Sequence, residues 1–387
     1  MSTELTDLID AVELIDHHCH GVIHDDPPRA VFEDLITESP WPAPPGTSGW
    51  DSQVGLAIRR RCAPLLDLPA DCTPEEYLAR RTELGASEVN RRLLGAARLH
   101  TLLLDSGYRG DDILDVPGMA RVSGAATREI VRLEAVAEQV ASGLRSGTGF
   151  PDAYRAALAA ATRDAVGLKS IVAYRDGLDF APERPSDHEV ARRAAAWLDE
   201  IARTGAVRLT DPVLLRFGIW SGVDLALPLQ FHVGYGDADV DLARCNPLLM
   251  TDWLKATRES GAAVMLLHCY PYHREAGYLA QVYPHVYCDV GLAINYTGAR
   301  AAAIIAESLE LTPFHKALFS TDTFGLPELY YVGATLFRQG LTETLTDWVD
   351  RGHASVRDAV RIAELIGNAN ARRVYRLDRR DPGSSPG

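Results

Sequence analysis

The chain has 387 residues, is 47% hydrophobic and 24% charged, and carries a formal charge of −14 at pH 7. That length and apolar content suffice for one large domain or two ordinary ones with a sizeable buried core, while the acidic balance speaks against a nucleic-acid partner, because it repels phosphate backbones. No apolar run approaches the roughly 18 residues of a membrane span, residues 1–10 lack the basic and apolar blocks of a signal peptide, and the six cysteines, none in a CxxC pair, read as reduced, mostly buried thiols of a cytoplasmic enzyme.

The first predicted strand runs from about Glu13 to His20 and ends in Leu14-Ile15-Asp16-His17-His18-Cys19-His20-Gly21. Side chains two apart on a strand share a face, so His18 and His20 project together and Cys19 points away. Two imidazoles on one face chelate a divalent metal with little further ordering of the chain. The pair alone is a weak signal, and its weight depends on where other ligands fall. A loop rich in Pro, Gly and Trp follows, from Pro27 to Asp51; long loops in compact domains tend to be functional. Trp41 and Trp50 either wall a pocket or pack the loop. Helical sequence comes next: Leu56 to Leu66, a helix opened by Thr73-Pro74-Glu75-Glu76 with Thr73 as N-cap, and Ser87 to Leu99. Residues 53–98 thus read as a helical insertion after the first strand.

Beyond it the pattern is regular. Strands are predicted at Leu99–Asp105, Glu129–Glu134, Val166–Tyr174, Leu227–Val233, Ala263–Cys269, Val286–Val290 and Lys316–Thr321. Helices alternate with them: from about Ala135, then Pro151–Asp164, Asp187–Thr204 with Asp187 as N-cap, Pro247–Ser260, His273–Val282, Thr297–Glu310, Leu326–Gln339 and Ser355–Ile366. Mostly apolar strands between helices mean a parallel sheet covered on its outside. With the first strand this makes eight units, an α/β fold of the (β/α)8 TIM-barrel type, whose active-site groups sit at the C-terminal strand ends. Residues 1–376 are read as a single barrel and 377–387 as a disordered tail.

In that frame the histidine pair gains partners. His232 ends strand five, His268 ends strand six and Asp322 ends strand eight, while Lys169 stands inside strand four, several residues below its predicted end. Polar residues are seldom buried unpaired, so the joint pattern points to a metal centre. It resembles the amidohydrolase superfamily. The segments LPLQFHVGYGD (Leu227–Asp237), HCYPYHREAGYLA (His268–Ala280), YCDVGLAINYTG (Tyr287–Gly298) and STDTFGLPELYYVGA (Ser320–Ala334) are similar to the amidohydrolase domain of FluG-like proteins, with no synthetase-like domain expected after the barrel. The resemblance implies His18, His20, His232, His268 and Asp322 around Zn2+, or another divalent ion such as Mn2+ or Fe2+, one or two per chain. It implies Asp322 as the base that takes a proton from activated water, with His268 or His232 polarising the scissile carbonyl if not coordinated. Lys169 is either a carboxylated bridge between two metals, a substrate-facing ammonium or half of a buried ion pair. Asp16 and Thr321 are candidates to orient the ligands.

For the substrate, Arg175 after strand four suits a carboxylate held by two bonds, and Glu134 suits an amine. Tyr270 and His273 follow strand six over the mouth, His273 as an added acid or donor. Each also reads as an ordinary loop residue. The implied function is hydrolysis of a C–N bond, an amide of γ-glutamyl-like type, in a small polar molecule by metal-activated water. Rivals are a non-oxidative decarboxylase or isomerase on the same site, and a non-catalytic scaffold, against which the complete ligand set argues. A homo-oligomer, such as a dimer, is expected.

Overall fold

A computed structural model describes residues 2–378; of the predicted tail, all but its first two residues lie outside the described residues. Seven parallel strands form one sheet in sequence order: β1 (Leu14–Cys19), β2 (Leu99–Asp105), β3 (Ala126–Arg132), β4 (Gly167–Ser170), β5 (Leu229–Val233), β6 (Val264–His268) and β7 (Val286–Cys288). Helices connect them, as a barrel of βα units requires.

The eighth predicted strand, Lys316–Thr321, is not a regular ladder. Phe314–Lys316 forms a 3-10 turn, and the segment after it spans the gap between β7 and β1 through single bonds. Leu318 N–H donates to the Cys288 carbonyl at 3.0 Å; on the other side His17 N–H donates to Phe319 (3.1 Å), Asp322 N–H to His18 (3.0 Å) and His20 N–H to Thr323 (2.7 Å). Asp16 takes over one bond that a ladder would have made, accepting from the Thr321 N–H at 3.0 Å and from its hydroxyl at 2.6 Å. The left-handed backbone of Asp322, φ 51°, then interrupts the pleat.

β4 is also shorter than its apolar run suggests. The Ile171 N–H is taken by Glu134 (3.0 Å) and the Val172 N–H by the Ser170 hydroxyl (3.2 Å), so side chains replace the neighbouring strand and a 3-10 turn, Val172–Tyr174, follows. Glu134 itself lies in the helix Leu133–Gly143, past the end of β3. Among the helices outside the predicted set are Val116–Ser123 and Pro212–Asp224. Each begins with an Asp N-cap and a proline in the first turn, a start signal the sequence does carry. The helix Asp187–Thr204 is capped by Ser186, which accepts from the Glu189 N–H, rather than by Asp187.

Between β1 and β2 lie the helices Arg29–Asp34, Gln53–Cys62 and Pro74–Ala97. Thr73 and Glu76 form a reciprocal capping box at the start of the last, and Gly85 at φ 74° breaks it into two segments. Trp50 is buried and stacks on Phe32 with centroids 4.9 Å apart, so it packs the loop; Trp41 is exposed. The barrel interior is filled by Ile15, Leu103, Ile130, Met265, Leu267 and Leu318, with Tyr375 and Ala371 packed against them. Alternation sends Leu229, Phe231 and Val233 of β5 to the outer core, which leaves Gln230 and His232 facing inward. All six cysteines are unpaired and buried, and no helix among the described residues is long and apolar enough to cross a membrane.

Candidate metal centre

The C-terminal strand ends bring the predicted ligands together. His18 Nε2 lies 3.0 Å from Asp322 Oδ1, His20 Nε2 lies 3.7 Å from the same oxygen, and His268 Nε2 lies 3.4 Å from Asp322 Oδ2. The His232 and His268 rings are 4.8 Å apart, and Lys169 Nζ is 3.4 Å from His18 Nε2. Lys169 stands one residue before the end of β4, not several below it, because that strand stops at Ser170.

Local backbone geometry does part of this work. Met265 and Leu267 of β6 face the barrel interior and Leu266 the outer core, so strict alternation would turn His268 outward. Its left-handed backbone, φ 67°, swings the ring inward instead, and Asp289 Oδ1 holds that turn by accepting the His268 N–H at 3.1 Å. Residues held in this region cost of order 1–3 kcal/mol and cluster at functional sites. On β1 the ladder with β2 shifts register between Asp16 and Cys19. Cys19 packs into the outer core while His18 and His20 reach the site. Past His232, Gly234 has φ 78°, and a Cβ there would sit 2.2 Å from the Tyr270 carbonyl oxygen. Only glycine lets the two loops pass.

The donor chemistry fits a divalent cation. His232 Nε2 and both ring nitrogens of His268 are buried without a hydrogen-bond partner, an arrangement that costs free energy unless something accepts their lone pairs. A cation among His18, His268 and Asp322, whose ligand atoms lie within 4.8 Å of one another, would take up the lone pair of one His268 ring nitrogen. His18 Nδ1 faces the Gln230 amide oxygen at 2.9 Å and His20 Nδ1 the Asp105 carbonyl at 2.8 Å, the outer contacts typical of metal-binding imidazoles. Burial, with the Lys169 charge, pushes the His18 ring down to about 3, and burial pushes His268 down to about 4, so both are neutral donors. Burial raises Asp322, but His268, His18 and His20 outweigh it and hold the carboxyl well below its usual range. Burial draws the Lys169 ammonium down to about 8 against the raising effect of Asp322 and Asp105.

The cavity above these groups measures about 180 Å3, below the usual range for pockets that take drug-sized ligands. Arg175 lines it, as predicted, but Glu134, His273 and Tyr270 do not. Glu134 is turned beneath β4, bonded to the Ser170 hydroxyl at 2.7 Å. His273 pairs with Glu307 at 2.9 Å on the outer side of the barrel, and Tyr270 stacks on it with centroids 5.9 Å apart. Glu38, Arg132, Tyr174, Arg208 and Asp237 also line the cavity, and none of them is among the sequence-predicted site residues. Arg132 sits at the end of β3, where a polar group is visible in the sequence, while Asp237 lies in the loop four residues past β5. Glu38 and Arg208 come from loops that nothing local marks. Burial, helped by the Asp322 charge, raises the Glu38 carboxyl to about 7.

A parallel βα barrel with four imidazoles and a carboxylate at its C-terminal mouth defines a metal-dependent hydrolase fold. The chain belongs to the amidohydrolase family, whose profile matches residues 66–377. It is similar to the crystal structure of a candidate metal-dependent hydrolase from Lactobacillus casei, at 32% identity and TM-score 0.84 over 96% of this chain and 97% of that one. It is 29% identical to protein fluG of Emericella nidulans over 99% of its own length and 48% of that protein, so it spans about half of that curated relative. A uronate isomerase from Thermotoga maritima, 13% identical with TM-score 0.61 over 97% of both chains, shares the fold alone.

Proposed function

We propose that the protein hydrolyses a C–N bond, an amide of γ-glutamyl-like type, in a small carboxylate-bearing substrate with a divalent metal at the mouth of the barrel. The convergence of His18, His20, His232, His268 and Asp322, with buried ring nitrogens left unpaired, carries this reading. Zn2+ suits the nitrogen-rich donor set, with Mn2+ and Fe2+ as alternatives.

A divalent ion bound there would supply Lewis acidity, polarising a carbonyl and making water acidic near neutral pH. Asp322, ionised and within reach of three of the imidazoles, takes the proton of the attacking water and passes it to the leaving nitrogen. Arg175 holds the substrate carboxylate. Its side chain is 11% exposed, its Nε is buried without a partner, and its nearest carboxylate, Glu138, is 3.8 Å away, so its hydrogen-bonding capacity is free for a ligand. Arg132 is less available, since Asp105 binds it at 2.6 and 3.0 Å. Glu38 and Asp237 supply the negative charge for an ammonium group, the task that the sequence suggests for Glu134. With Lys169 drawn down to about 8, a substantial neutral fraction of its amine exists near pH 8, the form that reacts with CO2 to give a carboxylated bridge.

Elemental analysis of protein purified without chelator tests the centre, with Lys169→Ala alongside. Two metals per chain, falling to one or none in the variant, is the expected result for a carboxylated bridge. One metal unaffected by the variant would make Lys169 structural or substrate-binding and bring decarboxylation or isomerisation level with hydrolysis. No metal would return the scaffold reading. On a panel of γ-glutamyl and N-acyl amides, Arg175→Gln is expected to raise KM by about 10- to 100-fold, the loss of one or two charge-assisted bonds, with kcat changed far less. An equal KM for substrates with and without the carboxylate would rule Arg175 out as its anchor. The buried, unpaired cysteines suit a reducing compartment such as the cytoplasm, and light scattering tests the expected homo-oligomer.

A further inference from the structure

Beneath the metal centre runs a buried chain of hydrogen bonds whose direction follows at every link. Gln230, two residues before His232 on β5, places its amide nitrogen 2.7 Å from the His17 carbonyl oxygen and 2.9 Å from the Tyr375 hydroxyl; its amide oxygen lies 2.9 Å from His18 Nδ1. A peptide carbonyl only accepts, so the NH2 group must face His17 and the oxygen must face His18. An amide oxygen also only accepts, so His18 carries its proton on Nδ1 and leaves the Nε2 lone pair toward Asp322 and Lys169. The Tyr375 hydroxyl, having accepted from Gln230, donates to His17 Nδ1 at 3.0 Å. The proton of His17 is then on Nε2, which donates to Asp289 Oδ2 at 2.9 Å. The other oxygen of Asp289 accepts the His268 N–H, the contact that keeps that ring turned into the site.

We propose that Gln230 and Tyr375 are positioning residues for the metal centre: Gln230 sets the tautomer of His18, and Tyr375 holds Gln230 in the orientation that does so. Gln230 and His17 are 0% exposed and Tyr375 is 3% exposed, so bulk water does not compete for these bonds. A His18 ring with its proton on Nε2 has no lone pair to offer the metal, so the amide decides whether this ligand exists. Tyr375 follows the C-terminal helix Asn370–Val374, which ties the end of the described chain to the first metal ligand. His20 has its Nδ1 proton assigned by a backbone carbonyl and serves as an internal reference. The proposal rests on the metal-centre reading but not on the choice of substrate.

The experiment is nitrogen NMR of histidine-labelled, metal-free protein, together with zinc affinity measured by chelator competition, on wild type, Gln230→Leu and Tyr375→Phe. Wild type is expected to show His18 protonated on Nδ1. Gln230→Leu should lose that signature while His20 keeps its own, and zinc binding should weaken about 10- to 100-fold, the usual effect of removing an outer contact to a ligand. Tyr375→Phe leaves the amide tethered to His17 alone and should weaken binding by less than about tenfold, with the His18 signal broadened or shifted. A His18 tautomer unchanged in Gln230→Leu overturns the proposal, even if affinity falls, since the residue would then act only through packing. If that variant does not fold, Tyr375→Phe decides: an unaltered His18 signal with zinc affinity within about twofold of wild type overturns the proposal as well. Wild-type protein that binds no zinc in the competition assay overturns it together with the metal centre, whereas failure to cleave any amide leaves these readouts, and the proposal, intact.

Discussion

Asp322→Asn is expected to lose turnover by about 10²- to 10⁴-fold, the contribution of a positioned general base, while the protein stays folded. Asn matches the shape of Asp but accepts no proton. It is also one of the residues that tolerates the left-handed backbone which position 322 adopts, φ 51°, so the loop between β7 and β1 should keep its course. Part of the loss will come through the metal, because Asp322 lies within 3.0–3.7 Å of three imidazole nitrogens. The two contributions separate if kcat is measured at saturating metal. A thermal melt within a few degrees of wild type shows that the fold survives. Unchanged kcat in metal-saturated variant would sink the assignment of Asp322 as the base.

The largest effect on stability is expected at a buried ion pair between two helices. Arg81 and Glu328 are 2% and 0% exposed, and Arg81 Nε lies 2.6 Å from Glu328 Oε1. The pair joins the helix Pro74–Ala97 to the helix Pro327–Asp350, and the Tyr77 hydroxyl donates to the same carboxylate at 3.0 Å. Arg81 also contacts Asp26 at the edge of this cluster. Glu328→Leu removes the carboxylate and leaves a guanidinium buried with one partly exposed partner, at a cost of about 3–5 kcal/mol. Adding Arg81→Met and Tyr77→Phe should recover most of that loss, because a buried ion pair is often no more stable than an apolar replacement of similar volume. Urea unfolding of the single and triple variants measures both. A single variant within about 1 kcal/mol of wild type would mean that water reaches Arg81, and the pair would then count as a surface one.

The sequence is most informative where one local rule decides the outcome. The N-cap predicted at Thr73 satisfies a backbone donor within a single turn, and the structure forms it, with Glu76 completing a capping box. β2, Leu99–Asp105, is an apolar run in the middle of a parallel sheet and is legible residue for residue. His18 and His20 share a destination because side chains two apart on an extended chain point to the same face. Arg175 lines the cavity because it follows β4 closely.

Local pattern misleads where nonlocal contacts compete with the strand. The apolar run Val166–Tyr174 has the look of one strand, yet Glu134 and Ser170 take its backbone donors after the fourth residue of β4. That places Lys169 beside His18 and turns Glu134 away from the cavity. Lys316–Thr321 has strand composition, but Asp16 binds its backbone in place of a partner strand. His273 faces Glu307 on a helix that no spacing rule connects to it. Glu38 and Arg208 reach the cavity from loops, whose paths depend on packing rather than on periodicity.

From the sequence alone came the alternation of strands and helices, the barrel it implies, and the set of strand-end residues with metal-binding chemistry, because each follows from short-range periodicity and side-chain type. Only the tertiary structure decided that His268 turns inward against its strand's alternation, which nitrogen of His18 is free, and which charged groups line the cavity. Those outcomes depend on hydrogen bonds between residues distant in the chain, such as His268 to Asp289, His18 to Gln230 and Gln230 to Tyr375, and no local pattern encodes partners that meet only when the barrel is formed.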